Sequence, residues 1–151
     1  MKYFICGFSG AGKTTLLNRI KSSGKYPGHL FVDLDLFILT QHQSSSLGDL
    51  IEEKGWDWFR RAEKETLENL LKSPDIWIAL GGGTLDQELA LSLERDKEVK
   101  GYWLDTDFET CWQRIQNDRN RPLVLRGKRE LKALYDQRRG FYQKFERLLD
   151  T

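Results

Sequence analysis

The run Gly7-Phe8-Ser9-Gly10-Ala11-Gly12-Lys13-Thr14 has the form G-x-x-x-x-G-K-[ST] and follows the short apolar run Tyr3-Phe4-Ile5-Cys6. Phosphate chemistry needs that order. Glycines let backbone N–H groups curl around anionic oxygens, and a following helix turns its positive end toward them. Lys13 is placed to reach the β- and γ-phosphates, and the Thr14 hydroxyl to bind Mg²⁺. Read alone, the run is also a Gly-rich turn with a solvated lysine. A chance match to its four fixed positions arises in only about one chain in a few hundred of this length. The strand before and the helix after favour a nucleoside triphosphate site, with Gly10, Ala11, Gly12, Lys13, Thr14 and Thr15 around the phosphates.

Other groups of the right type fall at the carboxyl ends of predicted strands, where open parallel sheets collect ligands. Asp33 and Asp35 are two apart, so on continued strand geometry they point the same way. Two adjacent carboxylates at a phosphate site repel unless a cation or donor lies between them. Hydrated Mg²⁺ and a substrate hydroxyl would serve; a plain capping pair is the alternative. Gly81-Gly82-Gly83 follows a third strand and Asp105 a fourth. Arg60 and Glu63 stand three apart on a helix, a spacing that alone suits a weak surface ion pair. A basic loop carries Arg119, Arg121, Arg126, Lys128 and Arg129. Phosphoryl transfer needs a cation that arrives as water is shut out, and a mobile arginine loop meets both needs.

Alternating short β runs and longer helical runs predict an α/β fold with a mainly parallel sheet. Strands are expected at Tyr3–Cys6, Leu30–Asp33, Ile76–Leu80 and Val99–Leu104. Helices are expected at Lys13–Lys21, Leu47–Lys54, Trp56–Lys72, Leu85–Arg95, Asp107–Asn117 (capped by Asp105 or Thr106) and Glu130–Leu149. Residues 118–128, broken by Pro122 and Gly127, read as a mobile loop.

A chain of 151 residues suits one compact domain. Its net charge of +1 gives no general pull toward nucleic acid or anionic lipid. The longest apolar stretch, near Leu30–Leu39, is broken by Asp33 and Asp35 and is too short to span a bilayer. Met1-Lys2-Tyr3 enters a strand at once, leaving no room for a signal peptide. Cys6 and Cys111 are the only cysteines, and Cys6 reads as a core thiol. A cytoplasmic monomer follows as the expectation. Trp77 and Trp103 sit inside strands and read as core, while Trp56 and Trp58 flank the arginine helix, beneath the acceptor site or in ordinary core packing. His29 and His42 have no ligand-type neighbours in sequence and are given no role.

Taken together, GFSGAGKTT at 7–15, FVDLD at 31–35, SLGDLIEEKGWDWFRRAE at 46–63, IALGGG at 78–83 and YWLD at 102–105 resemble the shikimate kinase family. The resemblance continues through Arg114, Arg121-Pro122-Leu123 and Leu131-x-x-Leu134-x-x-x-Arg138-x-x-x-Tyr142. It implies a P-loop three-layer α/β/α fold with a parallel sheet and a mobile lid. Four strands are expected, in the order 2-3-1-4, with the family's fifth missing because the chain ends soon after its last helix. It implies one kinase domain over 1–151, with acceptor-binding helices in 34–72 and a lid at 118–128. The implied reaction moves the γ-phosphate of ATP, with Mg²⁺, to the 3-hydroxyl of shikimate, a step of aromatic amino acid biosynthesis.

Residue by residue, the resemblance implies Lys13 at the γ-phosphate, Thr14 at the metal and Asp33 on the metal's waters. Asp35 orients or deprotonates the acceptor hydroxyl. Arg60 and Arg138 grip the substrate carboxylate, with Glu63 holding Arg60. Gly81, Gly82 and Gly83 approach the ring, Arg121 is the lid cation and Arg114 packs on adenine. A guanidinium fork matches a carboxylate in two parallel bonds, and a side chain at Gly82 would push the ring away. Two departures stand out: the family's Arg-x-Pro-x-Tyr is Arg138-Arg139-Gly140-Phe141-Tyr142, and Phe145 stands where a small residue is usual. A gluconate- or nucleotide-type kinase on the same scaffold, or a nucleotide-binding module without transfer, are the competing readings.

Overall fold

The computed structural model describes residues 1–118 and 120–149. Its five strands are β1 (Lys2–Cys6), β2 (Leu30–Asp33), β3 (Ile76–Ala79), β4 (Val99–Asp105) and β5 (Glu146–Leu149). They pair in the order β2-β3-β1-β4-β5, every neighbour parallel. Side chains on a strand alternate faces, and each face here closes its own core. Phe4, Cys6, Ile76, Ile78 and Trp103 enter the larger core. Ile5, Trp77, Ala79 and Leu104 meet Leu17 on the opposite face. Tyr3 stacks on Trp77 at 4.3 Å between ring centroids, extending that second face with an aromatic strip.

The helices are α1 (Lys13–Ser22), α2 (Leu34–Gln41), α3 (Leu47–Lys54), α4 (Trp56–Leu70), α5 (Gln87–Arg95), α6 (Phe108–Ile115) and α7 (Lys128–Tyr142). Side-chain caps fix several of their starts. Ser46 accepts from the Asp49 N–H at 3.1 Å, and Asp86 from that of Leu89 at 2.8 Å. Asp107, rather than Asp105 or Thr106, caps α6 by accepting from the Thr110 N–H at 2.8 Å.

Three expectations are corrected. The helix expected through Leu149 ends at Tyr142, and Glu146–Leu149 turns back as a fifth strand beside β4. Long-range contacts decide this against local propensity. Phe145 packs edge-on against Phe4 at 4.8 Å above Gly101, where a Cβ would come within 2.7 Å of the Phe145 ring. The Arg147 Nε donates to Asp105 Oδ2 at 2.7 Å. The sheet therefore has five strands, and β4 is not its edge.

Next, the chain after β2 does not continue as strand: Leu34–Gln41 is a helix, with Leu34 and Ile38, one turn apart, fully buried. Its β-rich letters masked a four-residue apolar spacing. Finally, the loop at 118–128 contains a 3-10 turn at Pro122–Arg126; Arg119 lies outside the described residues. Among those residues no helix is long and apolar enough to cross a membrane.

Candidate active site

The phosphate loop is held in shape by its own side chains and those of α6. Gly10 lies at φ 83°, and a Cβ there would meet the Cys111 carbonyl oxygen at 2.9 Å, so only glycine fits without strain. Lys13, at the start of α1, donates from Nζ to the carbonyls of Gly7 at 2.6 Å and Phe8 at 2.9 Å. Burial, with Arg121 adding repulsion and Asp35 opposing, brings its pKa down to about 8. The buried Thr106 hydroxyl donates to the Ala11 carbonyl at 2.7 Å. Arg114 donates to the carbonyls of Gly10 at 3.0 Å and Ala11 at 3.2 Å, which sets its guanidinium against the loop. Thr15 lines the same cleft, of about 500 Å³.

Asp33 ends β2 and caps α2 by accepting from the Leu36 N–H at 3.1 Å. Its other oxygen accepts from the Thr14 hydroxyl at 2.5 Å. A hydroxyl and a carboxylate meeting beside a phosphate loop form an oxygen donor set suited to Mg²⁺, which commonly takes few protein ligands and completes its shell with water and phosphate. Among the described residues no three His, Cys, Asp or Glu side chains gather as a metal cage. Asp35 reaches the cleft from the first turn of α2, not from a continued strand. Helix geometry separates it from Asp33 and carries it toward Glu63 and Gly81.

The triple-glycine loop after β3 joins the two halves, because each glycine faces a different set of partners. A Cβ on Gly81 would lie 2.5 Å from Asp35 Oδ2 and 2.7 Å from Glu63 Oε2; one on Gly82 would lie 2.6 Å from Ser9 Oγ. One on Gly83 would collide with Arg60 Nη2 and lie 2.7 Å from Arg138 Nη2. Gly82 is therefore also held small by the phosphate loop that crosses it, a packing reason the sequence did not show. Acid pair, phosphate loop and arginine pair converge within three residues.

Glu63 organises the acceptor side. It is only 1 % exposed, so its pairing with Arg60 Nη1 at 2.6 Å is no surface decoration. Its second oxygen accepts from the Thr84 hydroxyl at 2.6 Å, and that hydroxyl accepts from the Gly81 N–H at 2.9 Å. This relay ties α4 to the glycine loop. Burial first, then the neighbouring Glu63 and Asp33 carboxylates, hold the Asp35 carboxyl well above the ordinary carboxylate range, with Lys13 opposing. Asp35 Oδ1 and Arg138 Nη1 are both buried without a hydrogen-bond partner among the described residues. Burial, and then the charges of Arg60 and Arg126, pull the Arg138 guanidinium down from its ordinary value.

Arg121, at the lid's start, donates from Nε to Asp118 Oδ2 at 3.0 Å and lines the cleft. Asp105 does not join the others: it pairs with Arg147 at 2.7 Å and lies 3.8 Å from Arg139. Sequence reasoning gave no site role to Thr84 or Tyr142, and read Thr106 only as a possible helix cap. The Tyr142 hydroxyl donates to the Gly82 carbonyl at 2.6 Å, fixing the loop from α7. Its signal was present, one helical turn beyond Arg138. Thr84 offered only a polar residue after three glycines.

Comparison with known proteins identifies the family of the chain. A family model described as shikimate kinase matches residues 9–151. A shikimate kinase of Persephonella marina is 32% identical over 149 residues, covering 98% of this chain and 87% of the relative. The solved shikimate kinase of Acinetobacter baumannii in complex with shikimate superposes with a TM-score of 0.84 at 27% identity, over 99% of this chain and 83% of that one. The Aquifex aeolicus shikimate kinase structure gives 0.78 at 28% identity, over 100% of this chain and 86% of that one. The chain belongs to the shikimate kinase family.

Proposed function

We propose that this member of the shikimate kinase family transfers the γ-phosphoryl group of ATP to the 3-hydroxyl of shikimate, by direct in-line displacement. One observation carries the reading. A buried carboxyl oxygen of Asp35, which lines the cleft beside Gly81, and a buried guanidinium nitrogen of Arg138, whose Nη2 flanks Gly83, lack hydrogen-bond partners among the described residues, on a glycine loop that touches the phosphate loop. Buried polar groups are rarely left unpaired. An acceptor with one hydroxyl for Asp35 and one carboxylate for the arginines would satisfy both.

In this reading Arg60 and Arg138 bind the carboxylate, and Glu63 keeps Arg60 oriented. Gly81, Gly82 and Gly83 let the ring approach the backbone. Asp35 accepts the proton of the attacking hydroxyl. Burial and the neighbouring carboxylates raise its pKa, which makes the ionised carboxylate a better proton acceptor and favours a bound hydroxyl donor there. Lys13 and Arg121 stabilise charge spreading over the γ-phosphoryl oxygens, and the backbone from Gly10 to Thr15 cradles the phosphates. Arg114 packs on the adenine. Thr14 and Asp33 would hold Mg²⁺, which neutralises phosphate charge when bound. Most of the rate would come from positioning and electrostatics.

We read the chain as one kinase domain over residues 1–151, with residues 34–72 as its acceptor-binding part and 118–128 as a mobile lid. We further read it as a cytoplasmic monomer whose partner is a small molecule rather than nucleic acid or a membrane; its net charge of +1 supports this. Sedimentation of the purified chain checks the monomer. The activity is tested by an acceptor panel in a coupled ADP-release assay. Shikimate is expected to be the best acceptor. Faster turnover of gluconate or of a nucleotide acceptor, or nucleotide binding with no transfer, would overturn the reading.

A further inference from the structure

The arginine pair has a third neighbour that comes from the lid. Trp56, in the first turn of α4, carries the Arg60 guanidinium 4.9 Å from its ring centroid. The Arg126 guanidinium stands 6.0 Å from the same ring. Arg126 is the last residue of the 3-10 turn inside the lid. Its charge is felt at Arg138, and Arg138 and Arg60 together flank Gly83. Three guanidiniums thus gather around Trp56 and Gly83, at the end of the cleft that Trp56 and Arg60 line. Among the described residues Glu63 is the one carboxylate there paired to any of them, through Arg60 Nη1. The Arg138 Nη1 donor is buried without a hydrogen-bond partner among the described residues.

Such a cluster is self-repelling unless an anion joins it. An aromatic face relieves part of that cost, because it attracts cations through its negative quadrupole. Trp56 offers this face to Arg60 and Arg126 together, linking the lid to α4. No motif marked Arg126 beforehand; in the sequence it was one of five basic residues in a loop.

We propose that Arg126 is a third cation of the acceptor site, seated on Trp56 by the lid, which holds the acid group of the substrate together with Arg60 and Arg138. The assignment rests on the shikimate reading above. It makes lid position depend on the acceptor's carboxylate. An acid in the chamber bridges Arg126 to the pair on the domain body, whereas a neutral acceptor leaves the three cations repelling. The lid that carries Arg121 to the phosphates is then drawn down by the acceptor as well as by the nucleotide.

Steady-state kinetics with shikimate and with its neutral carboxamide separate the outcomes. Arg126→Ala is expected to raise the KM for shikimate about tenfold, the usual scale for one hydrogen bond to a charged group, with the KM for ATP unchanged. With the carboxamide, wild type and variant should share one KM. Arg126→Lys should recover only part of the loss, because an ammonium cannot present a planar fork. A shikimate KM unaltered in Arg126→Ala would overturn the proposal. So would an equal loss with acid and carboxamide, which would mark Arg126 as a support for the lid. Failure of the wild-type protein to phosphorylate shikimate would instead sink the underlying activity.

Discussion

The phosphate side and the acceptor side of the cleft are built on opposite principles. On the phosphate side every key group is already bonded within the protein. Lys13 rests on two loop carbonyls, Thr14 on Asp33, and Arg114 on Gly10 and Ala11. On the acceptor side Asp35 and Arg138 are buried with unmet hydrogen-bonding capacity, and two carboxylates crowd Gly81. The first half has its hydrogen bonds met and is pre-set for an anion that many enzymes share. The second holds strain that a particular ligand relieves. Specificity therefore belongs where polar groups are left wanting, since a wrong ligand leaves them unpaired.

The largest expected effect lies on the phosphate side. Lys13→Met should lower turnover about a thousandfold, the scale of removing one preorganised donor from a transition state. The same change should stabilise the nucleotide-free protein. The Lys13 pKa of about 8 lies below its unfolded value of 10.5. Below pH 8 both states carry the proton and the folded state bears the full burial cost. Between 8 and 10.5 the unfolded chain binds more protons, so wild-type stability rises with pH. The variant's advantage, on the order of 3 kcal/mol at neutral pH, should shrink across that window in denaturant titrations. A constant difference would show that the ammonium is not strained.

Asp35→Asn tests the acceptor side. Turnover should fall about a hundredfold, the lower range for losing a general base, while thermal stability rises by about 1 kcal/mol at pH 7. The sign follows from the raised pKa of Asp35. Its folded state keeps a proton longer than the unfolded chain, so its contribution is best below the unfolded pKa and worsens as pH climbs above it. A destabilised variant at pH 7 would argue against crowding by Glu63.

The smallest effect is expected at the joint. Thr84→Val deletes the hydroxyl between Glu63 and the Gly81 N–H and should cost about 1–3 kcal/mol of stability. The KM for shikimate should rise about threefold, a fraction of one charged hydrogen bond, and that for ATP should stay fixed. A shift in both constants would mean the two halves are less separable than their hydrogen bonds indicate.

Local sequence carried much of this architecture. Lys13 bonds to the carbonyls of Gly7 and Phe8 in its own loop, and the loop's residue types recur at a fixed spacing, so spacing alone located it. Four strands and most helices followed from periodicity. Where distant partners decide, the letters misled. Glu146–Leu149 has ordinary helical propensity, and pairing with β4 made it a strand. Asp35 was read on an extended chain, and the Asp33 cap with the buried Leu34 and Ile38 turned it onto a helix. The Arg60–Glu63 spacing was legible, but nothing local distinguishes a solvated pair from one whose carboxylate is 1 % exposed.

The sequence by itself determined which chemical groups the protein owns and the short loop that curls around phosphate, because those features depend on neighbours along the chain. Only the tertiary structure decided that Asp35, Glu63, Arg60 and Arg138 meet across three glycines, and that Arg126 shares a tryptophan with Arg60. Burial and charge repulsion arise between segments that folding brings together, and no single segment carries them.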